Sequence, residues 1–92
     1  MIVRIATEGQ YEIADDDVAA LNELDNKAVG ACEGSDEAHF NRAFKELIEF
    51  VRTHGRPVPE ETLEPSDVII PPPDVSFEEA RAEFSGEGLI PG

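Results

Sequence analysis

The stretch Asp36–His54, DEAHFNRAFKELIEFVRTH, decides the fold. On a helix with about 3.6 residues per turn, Phe40, Phe44, Leu47 and Val51 fall on one line. Ala43 and Ile48 flank that line on its two sides, and Phe50 lies further out beyond Ala43. The apolar stripe is wider than a coiled-coil seam and wide enough to meet two neighbours. Three of the chain's five phenylalanines are here, so this helix predicts the centre of the core.

Immediately before it, Asp15-Asp16-Asp17 opens a second helical pattern, roughly residues 16–33. One aspartate is placed to cap free backbone N–H groups, and the others sit well at the positive end of the helix dipole. Val18, Leu21, Leu24, Ala28 and Cys32 form its apolar stripe. Gly34-Ser35 separates the two patterns, with Ser35 or Asp36 as the N-cap of the second, and so short a link predicts an antiparallel helical hairpin. Arg52 and His54 in the last turn, with Gly55 after it, agree with a helix C-terminus.

Upstream, residues 1–13 predict a β-hairpin. A three-residue loop Thr7-Glu8-Gly9 would pair Ile5 with Tyr11, Arg4 with Glu12 and Val3 with Ile13. It puts four apolar side chains on one face and gives Gly9 the positive φ of the loop. A two-residue loop Glu8-Gly9 would mix apolar and charged groups on one face.

Downstream, composition changes. Six of seven prolines fall in the connector 56–75, at 57, 59, 65, 71, 72 and 73, and no helix runs through them. Val68-Ile69-Ile70 reads as an edge strand added to the hairpin, with Pro71 blocking further ladder bonds. Pro71-Pro72-Pro73 predicts extended, polyproline-like backbone. Ser76-Phe77-Glu78-Glu79 is a capping-box pattern opening a short helix over 77–84. Residues 85–92 form a tail containing Leu89 and Ile90. The expectation is one α+β domain over residues 1–92, a hairpin or three-stranded sheet packed on two antiparallel helices with a third, short helix.

Composition limits the chemistry. Ninety-two residues with 40% hydrophobic content support one modest core; a chain this size buries only about 60–65% of its unfolded surface. Seven basic against twenty-one acidic residues give a formal charge of −14. That field repels phosphates and anionic lipids and favours basic partners, so nucleic acid is not an expected ligand. Halophilic adaptation produces the same charge signature. One cysteine suits a reducing compartment. MIVRIATEGQ lacks the basic and apolar regions of a signal peptide, and no apolar run is long enough to insert in a membrane, so a cytoplasmic location is expected.

Catalytic and metal readings fare poorly. Asp15-Asp16-Asp17 lacks the alternating ligands and closing carboxylate of a calcium loop. Cys32 lies on an apolar stripe, while His39 and His54 stand about 22 Å apart along one helix. Gly86 and Gly88 follow no strand and precede no Lys-Ser/Thr, so they make no phosphate loop. No catalytic, cofactor-binding or metal residue is nominated. Pro71-Pro72-Pro73-Asp74 reads either as a polyproline ligand for an aromatic groove or as a rigid spacer. Leu89-Ile90 either folds onto the core or serves as a partner-binding strand. These six residues, Pro71, Pro72, Pro73, Asp74, Leu89 and Ile90, are the candidate partner site.

MIVRIATEGQYEI, LNELDNKAV, and above all PSDVIIPPPD followed by a short helix and GEGLIPG, resemble the PspA-associated protein family, PspAA, from Met1 to Gly92. The resemblance implies an accessory of the bacterial phage-shock, or envelope-stress, response. Its implied partner is PspA, a coiled-coil membrane-remodelling protein, which would recruit the chain to the membrane face. It supplies no catalytic residues. The alternative is a self-associating interaction protein of another pathway.

Overall fold

The computed structural model describes residues 1–59, 61–62 and 64–84. The elements are β1 (Ile2–Ile5), β2 (Gly9–Glu12), α1 (Asp15–Glu33), α2 (Glu37–His54), β3 (Arg56–Pro57), β4 (Val68–Ile70) and α3 (Phe77–Glu83). The α+β expectation holds, with a four-stranded mixed sheet in the order β3-β2-β1-β4.

The hairpin register differs from the expectation by two residues. Val3 faces Tyr11, Arg4 faces Gln10 and Ile5 faces Gly9, so the loop is Ala6-Thr7-Glu8. Glu8 N–H donates to Ile5 O at 2.9 Å, and Thr7 takes φ 73°, the positive φ of a type II turn at its third residue. The slip lengthens the ladder. Met1 now meets Ile13, which donates to Met1 O at 2.8 Å while the Met1 amino group donates to Ile13 O at 3.0 Å. In the expected register Met1 would face Asp15, where the chain is already helical. Because the slip is two residues, the apolar face is kept.

That inner face carries Val3, Ile5 and Ile13 from the hairpin and Val68 and Ile70 from β4, all buried. It shares one core with Leu21, Ala28 and Cys32 of α1 and with Phe40, Phe44, Leu47, Ile48 and Val51 of α2. The wide α2 stripe is thus buried as its spacing predicts. Ala80 of α3 and Phe84, its C-cap, close the core, and Phe40 sits 5.4 Å, ring to ring, from both Phe44 and Phe84.

The helix ends show how the chain turns. Ala14 occupies the N-cap of α1 with no side-chain cap, so the three aspartates act through the dipole rather than as a cap. At its other end Ser35 N–H donates to Cys32 O and Asp36 N–H to Ala31 O, at 3.1 and 3.0 Å. This is a Schellman ending in which Ser35, not Gly34, takes the left-handed φ of 55°. Asp36 then caps α2, accepting from His39 N–H at 3.0 Å. Meanwhile Gly30 is exposed inside α1, and a Cβ there would meet nothing within 4 Å. In α1 and its ending, glycine is thus missing where φ is positive and present where it only loosens the helix. Gly30→Ala and Ser35→Gly are each expected to stabilise the domain by about 0.5–1 kcal/mol, read as a raised midpoint in urea.

The connector is more structured than its prolines suggest. Arg56–Pro57 is a short fourth strand, antiparallel to β2, with Glu12 opposite Arg56 and Tyr11 opposite Pro57. Two residues carry no periodicity, and Pro57 is tolerated because β3 is an edge strand. β4 joins the opposite edge, parallel to β1. Asp67 pins its start, donating through its N–H to Ile2 O and accepting the Ile2 N–H on its carboxylate, both at 2.8 Å.

The three prolines do not form one extended run. Val75 N–H donates to Pro72 O at 3.0 Å, closing a turn with Pro73 and Asp74 at its exposed tip. The capping box is also modified. Ser76 Oγ accepts from Glu79 N–H at 3.2 Å, but the Glu79 carboxylate accepts from the Ser76 hydroxyl rather than from its backbone.

Candidate functional site

Cys32, His39 and His54 occupy different parts of the helical hairpin. Cys32 is buried, and desolvation pushes its thiol pKa up, partly opposed by the Arg81 charge. It is a core side chain, not a thiolate nucleophile. His39 lies on the surface at the start of α2, 4.0 Å from Asp36, and His54 stacks on Phe50 at its end, with ring centres 4.2 Å apart. Among the described residues no group of three or more His, Cys, Asp or Glu side chains is placed to hold a metal ion. No helix among them is long and apolar enough to cross a membrane.

Sequence reading missed Asp25, one acid among twenty-one, which is 0% exposed on α1. No buried side-chain polar atom lacks a partner among the described residues, so Asp25 is a satisfied part of the scaffold.

The outer face of the sheet is where the molecule offers a surface. Alternation along the strands puts Arg4, Gln10 and Ile69 on this side, with Arg4 opposite both of the others in register. The β2 half is roofed by the connector. Gln10, only 9% exposed, donates from Nε2 to Glu64 O at 2.6 Å and to Ser66 Oγ at 2.9 Å. Val58 N–H also donates to Gln10 O at 2.9 Å. Pro65-Ser66-Asp67 is therefore a sheet-locking motif: Ser66 holds β2 through Gln10, and Asp67 holds β1 through Ile2. A cleft of about 640 Å³ remains beneath this roof, lined by Arg4, Thr7 and Gln10 with Pro57, Val58 and Thr62 among others.

Among the described residues the β4 half has no such roof. Ile69 is 58% exposed, the one large hydrophobic side chain left so among the described residues. It opens onto a groove of about 660 Å³ lined by Ala6, Ile69, Pro71, Pro72, Val75, Asp74 and Glu79. Of the residues singled out from sequence, Pro71, Pro72 and Asp74 are brought to this groove. Pro71 is buried, Pro72 half-buried and Asp74 exposed, while Pro73, exposed at the turn's tip, does not line the groove. Leu89 and Ile90 lie outside the described residues. The signal for Ile69 was present in the sequence: the middle residue of a three-residue edge strand faces opposite to its two neighbours.

Opposite the groove, the hairpin loop is held to α2 by a bidentate pair, Arg52 Nε donating to Glu8 Oε1 at 3.0 Å and a second guanidinium nitrogen to Glu8 Oε2. The sheet is thereby clamped to the helix beneath it. The arrangement offers a face with an apolar floor and a carboxylate rim. No curated protein and no solved structure matches this chain. The model of the family described as PspA-associated protein, PspAA, matches residues 1–92, the whole chain, and the chain therefore belongs to the PspAA family.

Proposed function

We propose that this chain is a non-enzymatic accessory protein of the bacterial phage-shock, or envelope-stress, response that binds a PspA-type coiled-coil protein in the cytoplasm. The observation that carries the reading is the family match from residue 1 to residue 92. The charge supports it: a formal −14 on 92 residues favours a basic protein partner over nucleic acid or a bare anionic membrane. The placement of Cys32 in the core, with His39 and His54 at opposite ends of α2, supports the non-enzymatic part of the reading.

A complex formed this way depends on salt. Purified chain should capture a purified PspA-type protein at low ionic strength, and the captured fraction should fall as salt rises through the range where the Debye length shrinks from about 10 to 3 Å. Absence of a complex at low salt would sink the proposal. Light scattering of the chain alone tests the competing reading, since a self-associating protein would give a concentration-dependent dimer or larger species without any partner.

A further inference from the structure

Resting on that reading, we infer that the partner docks at the outer face of β1 and β4, which no described residue roofs. There it would insert an apolar side chain of an amphipathic helix against Ile69, with flanking lysine or arginine residues meeting Asp74 and Glu79. The floor of the groove is Ala6, Ile69, Pro71, Pro72 and Val75, and both charged residues lining it are carboxylates. An apolar floor with an acidic rim selects an apolar residue flanked by bases. On a helix such bases lie one turn away on either side, about 5–6 Å along the axis.

Two other occupants fit less well. An added strand would find only three residues of β4 before Pro71, which has no N–H, so its ladder would end at once. A second copy would bring another formal −14 and another acidic rim to the same place. Arg4, opposite Ile69 in the register, is the base on this face. It lies toward β2, so the basic side of the docked helix is directed to the α3 side, where Asp74 and Glu79 stand.

The full chain is tested with two probes: a purified PspA-type protein, and a synthetic leucine–lysine amphipathic helix with its leucine–glutamate counterpart as control. Ile69→Lys alters an exposed position, so folding should persist and is verified by circular dichroism. It should weaken binding of the PspA-type protein about tenfold or more. Asp74→Asn with Glu79→Gln, which keeps the Ser76 hydrogen bond possible, should weaken binding and flatten its salt dependence. In amide chemical-shift mapping, the leucine–lysine helix should perturb Ile69 and Val75, and the leucine–glutamate helix should not.

Wild-type affinity in Ile69→Lys would overturn the site while leaving the partner in place. Wild-type chain that ignores the PspA-type protein yet takes the leucine–lysine helix at Ile69 would overturn the partner while supporting the groove. Equal binding of both peptides would overturn the acidic-rim argument. A wild-type dimer in light scattering that Ile69→Lys converts to a monomer would assign the groove to a second copy and overturn the inference.

Discussion

Phe40→Ala is expected to remove about 3–5 kcal/mol of folding stability. The ring is 1% exposed. It lies 5.4 Å from Phe44, 5.5 Å from Phe77 and 5.4 Å from Phe84, so it joins α2 to both ends of α3. Phe44, by comparison, meets Phe40 and Phe84 only, the latter at 5.9 Å. Truncation loses the transfer free energy of a whole ring and leaves a void that three aromatic neighbours on two helices cannot all close. Aromatic pairs of this geometry add about 0.5–1.5 kcal/mol each beyond their buried area. Domains of this kind have a total stability of about 5–15 kcal/mol, so the variant sits near the edge of folding. Urea denaturation monitored by circular dichroism measures the loss. Phe50→Ala is the control, because Phe50 is only half-buried and stacks on the exposed His54. A loss below about 1 kcal/mol in Phe40→Ala, comparable to the control, would mean that α3 is not seated on α2.

The stretch around Phe40 was legible because a helix declares itself through repetition. Phe40, Phe44, Leu47 and Val51 recur often enough to fix the element, its face and its central place. The same holds for the two caps at Asp36 and Ser76, where a side chain one turn from its backbone donor is a local event. Less could be read wherever the deciding contact was distant. The hairpin pattern set which side chains share a face but not the register, because a slip of two preserves the face. The choice fell to the extra pairing of Met1 with Ile13. β3 escaped notice because its two residues acquire strand geometry only from β2. The three prolines suggested an extended run, and a single bond from Val75 N–H to Pro72 O makes a turn instead.

The candidate surface follows the same division. Pro71, Pro72 and Asp74 were legible as an unusual string, and the groove contains them. Its floor residue Ile69 and its second carboxylate Glu79 were each assigned to other elements, a strand and a capping box. Only the parallel placement of β4 beside β1 brings strand, turn and helix start to one side. Ser66 and Asp67 explain why that placement is firm. They tie the connector to Gln10 and Ile2, so the roof over the β2 half of the sheet and the start of β4 share one anchor.

The close seating of α2 against the hairpin gives the second large effect, at Gly55. Glycine after a helix usually supplies a positive φ, but here φ is −79° and ψ 151°, a conformation any residue adopts. The requirement is space. A Cβ on Gly55 would lie inside contact distance of Val51 O, 2.9 Å from Tyr11 Cβ and 3.1 Å from Ile13 Cδ1. The isoleucine methyl can shift. Val51 O cannot shift cheaply, since it belongs to the α2 backbone and accepts the Gly55 N–H at 2.8 Å. Nor can Tyr11 Cβ, on a strand paired to β1 on one side and β3 on the other. Gly55→Ala must therefore lift β2 and β3 away from the end of α2, at an expected cost of about 1–3 kcal/mol. Gly55→Asn separates the two explanations, because asparagine tolerates positive φ but adds the same Cβ and more. If space is the cause, asparagine is at least as damaging as alanine. If conformation were the cause, it would be the milder change. Hydrogen exchange at Val58, whose N–H donates to Gln10 O at 2.9 Å, should accelerate in both variants as β3 loosens. Unchanged exchange there, with a stability loss under about 0.5 kcal/mol, would show that the helix end does not set the position of the sheet.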